Sequence, residues 1–177
     1  MKRPLPHRKK AKKNILLLDL GAGSCGAVVW NRSRNTFCHW SVLQVEAKGE
    51  KVSAKMINRA KGLFSSISYM IDRFKVDLVL TEVPTGGAKS ANAMRAMTLA
   101  IAVMGCVKAA HTDVEFVDYT PYAAKKLAGD GSKEAVKNLV LNWFKEKVGW
   151  ENLKGQGEAE HLYDAAALLI VHERKSR

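Results

Sequence analysis

The hydrophobic positions of this chain change period along its length, and the changes mark its elements. Asn14 to Leu20 is a short apolar run between a polar stretch and Gly21, the pattern of a buried strand. Gly21-Ala22-Gly23-Ser24 reads as a turn, and Cys25 to Trp30 and Thr36 to Val45 read as two further strands. The polar segment Asn31-Arg32-Ser33-Arg34-Asn35 joins those two as a hairpin, so the three strands form an antiparallel meander.

Val52 to Phe74 switches to helical period. Met56, Ile57, Ala60, Leu63, Phe64, Ile67, Met70 and Ile71 fall on one face, with lysines and arginines opposite. Val76 to Glu82 predicts a fourth strand, and the helix before it allows it to lie parallel to the first. Pro84-Thr85-Gly86-Gly87 breaks the chain. Ala88 to Ala110 predicts a long helix, apolar on nearly all sides from Met94 onward. Such a helix is either central in the core or covered by a partner. A fifth strand, Val114 to Val117, follows, and Pro121 starts a short helix. Ser132 is a good N-cap for a helix from Lys133 to Val148. After the loop Lys154 to Gly157, Glu158 to Glu173 reads as the last helix.

No internal repeat or linker divides the chain, so the expected organisation is a basic tail, 1–13, and one domain, 14–177. Three antiparallel strands followed by two strands reached through helical crossovers is the order of the ribonuclease H-like fold. The expected class is therefore α/β, a five-stranded mixed sheet flanked by helices. In that architecture the first strand is central and the fourth lies beside it.

Charge adds a partner to this picture. The net charge of +12 points to a polyanion, and nucleic acid is the obvious one. Lys2, Arg3, Arg8, Lys9, Lys10, Lys12 and Lys13 crowd the start, among Pro4 and Pro6, and His172 to Arg177 forms a second basic cluster. The first stretch has no period and no apolar face, which predicts a disordered arm suited to a phosphate backbone. No apolar stretch is expected to reach the roughly 18 residues that span a bilayer, and no signal-peptide pattern stands behind the basic start. The expected location is the cytoplasm, with no membrane partner. Cys25, Cys38 and Cys106 lack the close pairing of a zinc site and are expected to be reduced and mostly buried.

The candidate chemistry lies at element ends. Asp19 ends the run Ile15-Leu16-Leu17-Leu18, and Glu82 ends a second run after Thr81. His161 and Asp164, spaced i, i+3, share a face at the start of the last helix. Asp164 enters that helix from a largely apolar side, where an unpaired carboxylate is costly. If the two strands are neighbours and the helix packs on them, these groups converge into a divalent-metal site. Glu160, i, i+4 to Asp164, is an alternative to His161 as the fourth ligand.

Four segments resemble the RuvC-type Holliday junction resolvases. The first is Ile15-Leu-Leu-Leu-Asp19-Leu-Gly21 with Gly26 beyond, and the second is Thr81-Glu82 followed by a glycine-containing loop and Ala88-Lys89-Ser90-Ala91-Asn92. The third is Tyr119-Thr-Pro121-x-x-x-Lys125, then Gly129-x-Gly131 and Lys133-x-x-Val136. The fourth is His161-x-x-Asp164-Ala-Ala-Ala-Leu. Many family members have Asp where this chain has His161, and this chain is similar to the His-x-x-Asp variant. Some relatives carry an aromatic wedge about three positions after the glutamate, where this chain has Thr85.

The resemblance implies a structure-selective DNA endonuclease that resolves four-way junctions with paired nicks. It implies catalysis and metal binding by Asp19, Glu82, His161 and Asp164, two Mg²⁺ ions per site with Mn²⁺ as a substitute, and 5′-phosphate products. Lys125 and Lys133 match basic positions that touch DNA in the family; Lys89, Lys126 and Lys137 could extend that surface. A four-way junction has two-fold symmetry, so a homodimer is expected, with the helix bearing Met94, Met97, Leu99, Ile101 and Met104 as its contact. The rival readings are a broader flap or fork nuclease, a ribonuclease H on hybrids, and a non-catalytic junction-binding protein.

Overall fold

A computed structural model describes residues 13–21, 24–46, 48–84, 90–129, 131–147 and 160–175. Its strands are β1 (Asn14–Leu20), β2 (Ser24–Asn31), β3 (Thr36–Gln44), β4 (Leu78–Glu82) and β5 (Glu115–Tyr119). Its helices are α1 (Val52–Phe74), α2 (Ala91–Ala110), α3 (Pro121–Ala128), α4 (Lys133–Phe144) and α5 (Glu160–Lys175). The strands form one sheet in the order β3-β2-β1-β4-β5, with β1–β2 and β2–β3 antiparallel and β1–β4 and β4–β5 parallel. The expected mixed sheet is present, with β1 at its centre and β4 beside it.

Strand alternation sorts the side chains of β1 onto two faces. Leu16, Leu18 and Leu20 join Val79 and pack under α1 and α2 with Leu63, Ile67, Val103 and Val107. Ile15 and Leu17 join Leu78, Leu80 and Val28 and pack under α3, α4 and α5. Both sides of β1 are thereby covered, which is why it reads as a continuous apolar run rather than an alternating one. On the α5 side, the rings of Trp30, Phe37 and Phe144 meet edge to face with centroids 4.8–5.5 Å apart. Such pairs contribute roughly 0.5–1.5 kcal/mol each beyond area burial.

Local chemistry fixes several ends. Ser132 Oγ accepts from the Ala135 N–H at 3.1 Å, the expected cap of α4, and Ser90 Oγ caps α2 from the Ala93 N–H in the same way. Asp77 Oδ2 accepts from the N–H groups of Lys13 and Asn14 at 2.9 and 3.2 Å, tying the start of β1 to the turn before β4.

Several expectations change. β4 begins at Leu78 rather than Val76, and β5 runs to Tyr119 rather than Val117. Among the cysteines, Cys25 is buried, but Cys38 and Cys106 are exposed, because they sit on an edge strand and on the outer face of α2. Ile57, placed on the buried face of α1, is 67% exposed. The reading that no segment is long and apolar enough for a bilayer is also corrected, since α2 passes by length and composition. Its inner face packs on α1 and the sheet through Leu99, Ala100, Val103, Met104 and Val107. The basic stretch 1–12, the turn residues 22 and 23, residues 85–89 and the loop 154–157 lie outside the described residues.

Candidate functional site

The parity that buries Ile15 and Leu17 under α5 also decides where Asp19 goes. It is the next residue of that face, at the carboxyl end of β1. On β4 the same face runs Leu78, Leu80, Glu82. The parallel register pairs Asp19 with Glu82, so two carboxylates end adjacent central strands on the same side of the sheet. The α5 helix begins over this end and brings His161 and Asp164 to it.

Asp19 is largely enclosed, its side chain 13% exposed, and its Oδ2 lies 2.7 Å from His161 Nδ1. Nε2 of the same ring lies 3.2 Å from Ser24 Oγ. The imidazole is thus clamped between β1 and β2. Its hydrogen bond to Asp19 raises the His161 pKa above its ordinary value, and burial opposes that. Glu82 is pushed up to about 7, by burial first and then by the charges of Asp19 and Asp164, with Lys125 opposing. Asp164 is pushed up to about 6, again by burial first, then by Asp19 and Glu160, with His161 and Lys133 opposing. Three carboxylates from three elements therefore share one low-dielectric corner and repel one another.

Gly26 makes that corner possible. It pairs with Asp19 across β1 and β2, and a Cβ there would lie 2.1 Å from the His161 carbonyl oxygen. Only a residue without a side chain lets the first turn of α5 settle onto the strands. The sequence marks Gly26 only as part of a motif and Ser24 only as a turn residue. Counting the β1–β2 hairpin register back from its turn places Gly26 opposite Asp19, a signal for its place at the site though not for its contact with α5.

Glu160 takes a different direction. It pairs with Lys133, which lowers its pKa, and its side chain is half exposed. His161, not Glu160, is the α5 residue that touches Asp19. Of the expected basic positions, Lys125 lies close enough to Glu82 to stabilise its charge. Lys133 sits over the acidic corner through Glu160, and Lys137 lies 3.9 Å from Glu134 with its ammonium 6.0 Å from the Tyr163 ring centre. Lys89 and Trp150 lie outside the described residues. Trp30 is core, and Trp40 and Trp143 pack at its rim, as expected.

As the side chains stand, no three His, Cys, Asp or Glu groups among the described residues surround a point that would hold a metal. His161 engages the Asp19 oxygen instead. The donor set nonetheless fits a hard divalent cation: three carboxylates and one imidazole, with two carboxyls driven toward neutrality by burial and by the charges of their carboxylate neighbours.

The architecture has solved counterparts. RuvC of Thermus thermophilus in complex with a Holliday junction substrate superposes with a TM-score of 0.69 at 17% identity, covering 93% of this chain and 95% of that one. A second Thermus thermophilus RuvC structure gives 0.68 at 20% identity over the same shares. The chain has the RuvC fold. The yeast mitochondrial Holliday junction resolvase Ydc2 also shares it, with a TM-score of 0.66 at 14% identity, over 92% of this chain and 78% of that one. No protein-family model matches the chain, and no curated protein sequence does. The RuvC fold was therefore legible through element order and four short segments rather than through overall identity.

Proposed function

We propose that this chain is a DNA endonuclease that resolves four-way junctions by metal-dependent phosphodiester hydrolysis. The observation that carries the reading is the register pairing of Asp19 with Glu82 at the ends of β1 and β4, beneath His161 of α5. A Thermus thermophilus protein of the same fold is found with a Holliday junction substrate, which supports the choice of DNA.

In this reading Asp19, Glu82, Asp164 and His161 hold the catalytic cation, Mg²⁺ in the cell with Mn²⁺ as a substitute. When bound there, such a cation would supply positive charge against the scissile phosphate and lower the pKa of water. The protein groups prepare the corner. Asp19 and Glu82 present acceptors from fixed strand ends, so little reorganisation is needed when charge arrives. Ser24 orients the His161 ring through Nε2. Lys125 tempers Glu82, and Lys133 holds Glu160 aside and would exchange that partner for the substrate backbone. Lys137 and Lys89 would extend that basic surface. The arm 1–13, followed by a single domain 14–177, adds non-specific affinity that falls with salt. A homodimer joined through α2 presents two such corners to the two-fold junction. The exposed Met94 and Ile101 on that helix support this assembly. The reading places the protein on DNA in the cytoplasm.

The test is a labelled immobile four-way junction, incubated with Mg²⁺ or Mn²⁺ beside a flap and a plain duplex. Paired nicks with 5′ phosphates on the junction, lost in Asp19→Asn while junction binding persists, are expected. Undiminished cleavage by Asp19→Asn, or a junction left intact by the native chain, overturns the proposal.

A further inference from the structure

A second basic feature lies apart from the acidic corner. The face of α3 and the last turn of α5 enclose an open cleft of about 550 Å³, lined by Thr120, Tyr122, Lys126, Arg174 and Lys175 among others. No acidic residue lines it among the described residues. Lys126, Arg174 and Lys175 are in no ion pair among the described residues, and Glu173, the acid next to Arg174, is tied to Arg32 at 2.6 Å. Two of these cations rest on aromatic faces. The Arg174 guanidinium lies 5.5 Å from the Trp143 ring centre, and Lys175 Nζ lies 4.9 Å from that of Tyr119. That stacking limits their freedom without neutralising them, which lowers the entropy lost when they meet an anion.

The cleft is joined to the acidic corner by two helices, α3 and α5. Lys125 of α3 acts on Glu82, and its neighbour Lys126, about 100° further round the helix, lines the cleft. Arg174 follows Asp164 along α5 by about 15 Å at roughly 1.5 Å per residue. That is the span of about four to five base pairs of B-DNA at roughly 3.4 Å each.

We propose that this cleft binds the phosphate backbone of a duplex arm about four to five base pairs from the cut, through Lys126, Arg174 and Lys175. The inference rests on the reading of the chain as a junction nuclease and adds to it a remote anchoring site. Three cations with no ion pair among the described residues, in an open trough with no acidic group in its described lining, suit consecutive backbone phosphates better than an enclosed small ligand. Such a contact carries no sequence information; it fixes how one arm lies across the protein.

The experiment uses the full chain, with a fluorescent four-way junction and EDTA present. Binding is followed by anisotropy between about 50 and about 200 mM salt, and backbone protection by hydroxyl-radical footprinting. Replacing Lys126, Arg174 and Lys175 together by Gln is expected to lower the slope of log K against log salt by about 2.7, from about 0.9 per phosphate. Protection about four to five base pairs out disappears, while protection at the crossing stays. Lys126→Gln alone, which disturbs neither aromatic contact, is expected to lower the slope by about 0.9. An unaltered slope and footprint in both variants, with the native chain binding the junction in EDTA and cutting it once Mg²⁺ is added, overturns this inference and leaves the nuclease reading standing. Failure of the native chain to bind any junction overturns both.

Discussion

The acidic corner makes a sign-changing prediction about Glu82. Its carboxyl rises from an ordinary 4.5 to about 7, chiefly through burial and then through Asp19 and Asp164. A carboxyl with a raised folded pKa is favoured in its protonated form by the fold. The stability that form contributes is complete below about 4.5 and is lost as pH climbs through about 7. At about 1.36 kcal/mol per pH unit, holding Glu82 ionised at pH 8 costs about 3 kcal/mol without a cation. Relaxation of the corner and entry of water reduce this to about 1–2 kcal/mol of measurable stability. Glu82→Gln keeps the shape and removes the charge. In EDTA at pH 8 it is expected to raise the melting temperature by about 2–8 °C, at about 2–4 °C per kcal/mol for a chain of this size. At pH 4.5, where the native carboxyl is already protonated, the gain vanishes. With divalent cation at about a hundred times its Kd, the native chain gains about 2.7 kcal/mol and the variant much less, so the order of stabilities inverts. Calorimetry in EDTA and in Mg²⁺, at both pH values, reads all four numbers. A variant less stable than the native chain in EDTA at pH 8, or equal stabilisation of both by Mg²⁺, refutes the reasoning.

Three further outcomes follow from the same geometry. Gly26→Ala places a methyl 2.1 Å from the His161 backbone oxygen, so α5 must lift. A loss of roughly 3 kcal/mol in urea denaturation is expected, with cleavage falling at least tenfold. The His161 imidazole, raised by its bond to Asp19, should titrate above 6.5 by NMR and return toward 6.5 in Asp19→Asn. The stability this bond contributes is present below 6.5 and fades as pH rises through the raised value. Finally, Met94→Glu with Ile101→Glu, on the exposed side of α2, is expected to yield monomers by light scattering and to abolish paired nicks. A monomeric variant that still nicks in pairs assigns the contact elsewhere.

How much of this was readable from the sequence depends on what set each feature. β1 was legible to the residue because both faces are buried, and a run with no alternation has one reading at that length. The convergence of Asp19 and Glu82 followed from a parallel β1–β4 pair, which in turn followed from the crossover helix between them. The ends of β4 and β5 were less legible, since Val76 is buried in the turn before β4 and packs like a strand residue without pairing as one. The exposure of Cys38 and Cys106 was hidden because the residues beside them in sequence do not tell the inner face of an element from the outer. The acidic corner shows the same division. Residue identity and strand parity decided which carboxylates meet. What His161 does once there was not written in its spacing, because i, i+3 to Asp164 fixes a helix face and not a partner. Its partner is set by Gly26, whose missing side chain lets the helix come close enough for Nδ1 to reach Asp19 and Nε2 to reach Ser24. The most informative residue for the site's geometry is therefore one with no chemistry of its own, and a cation entering this corner must compete with His161 for Asp19 Oδ2.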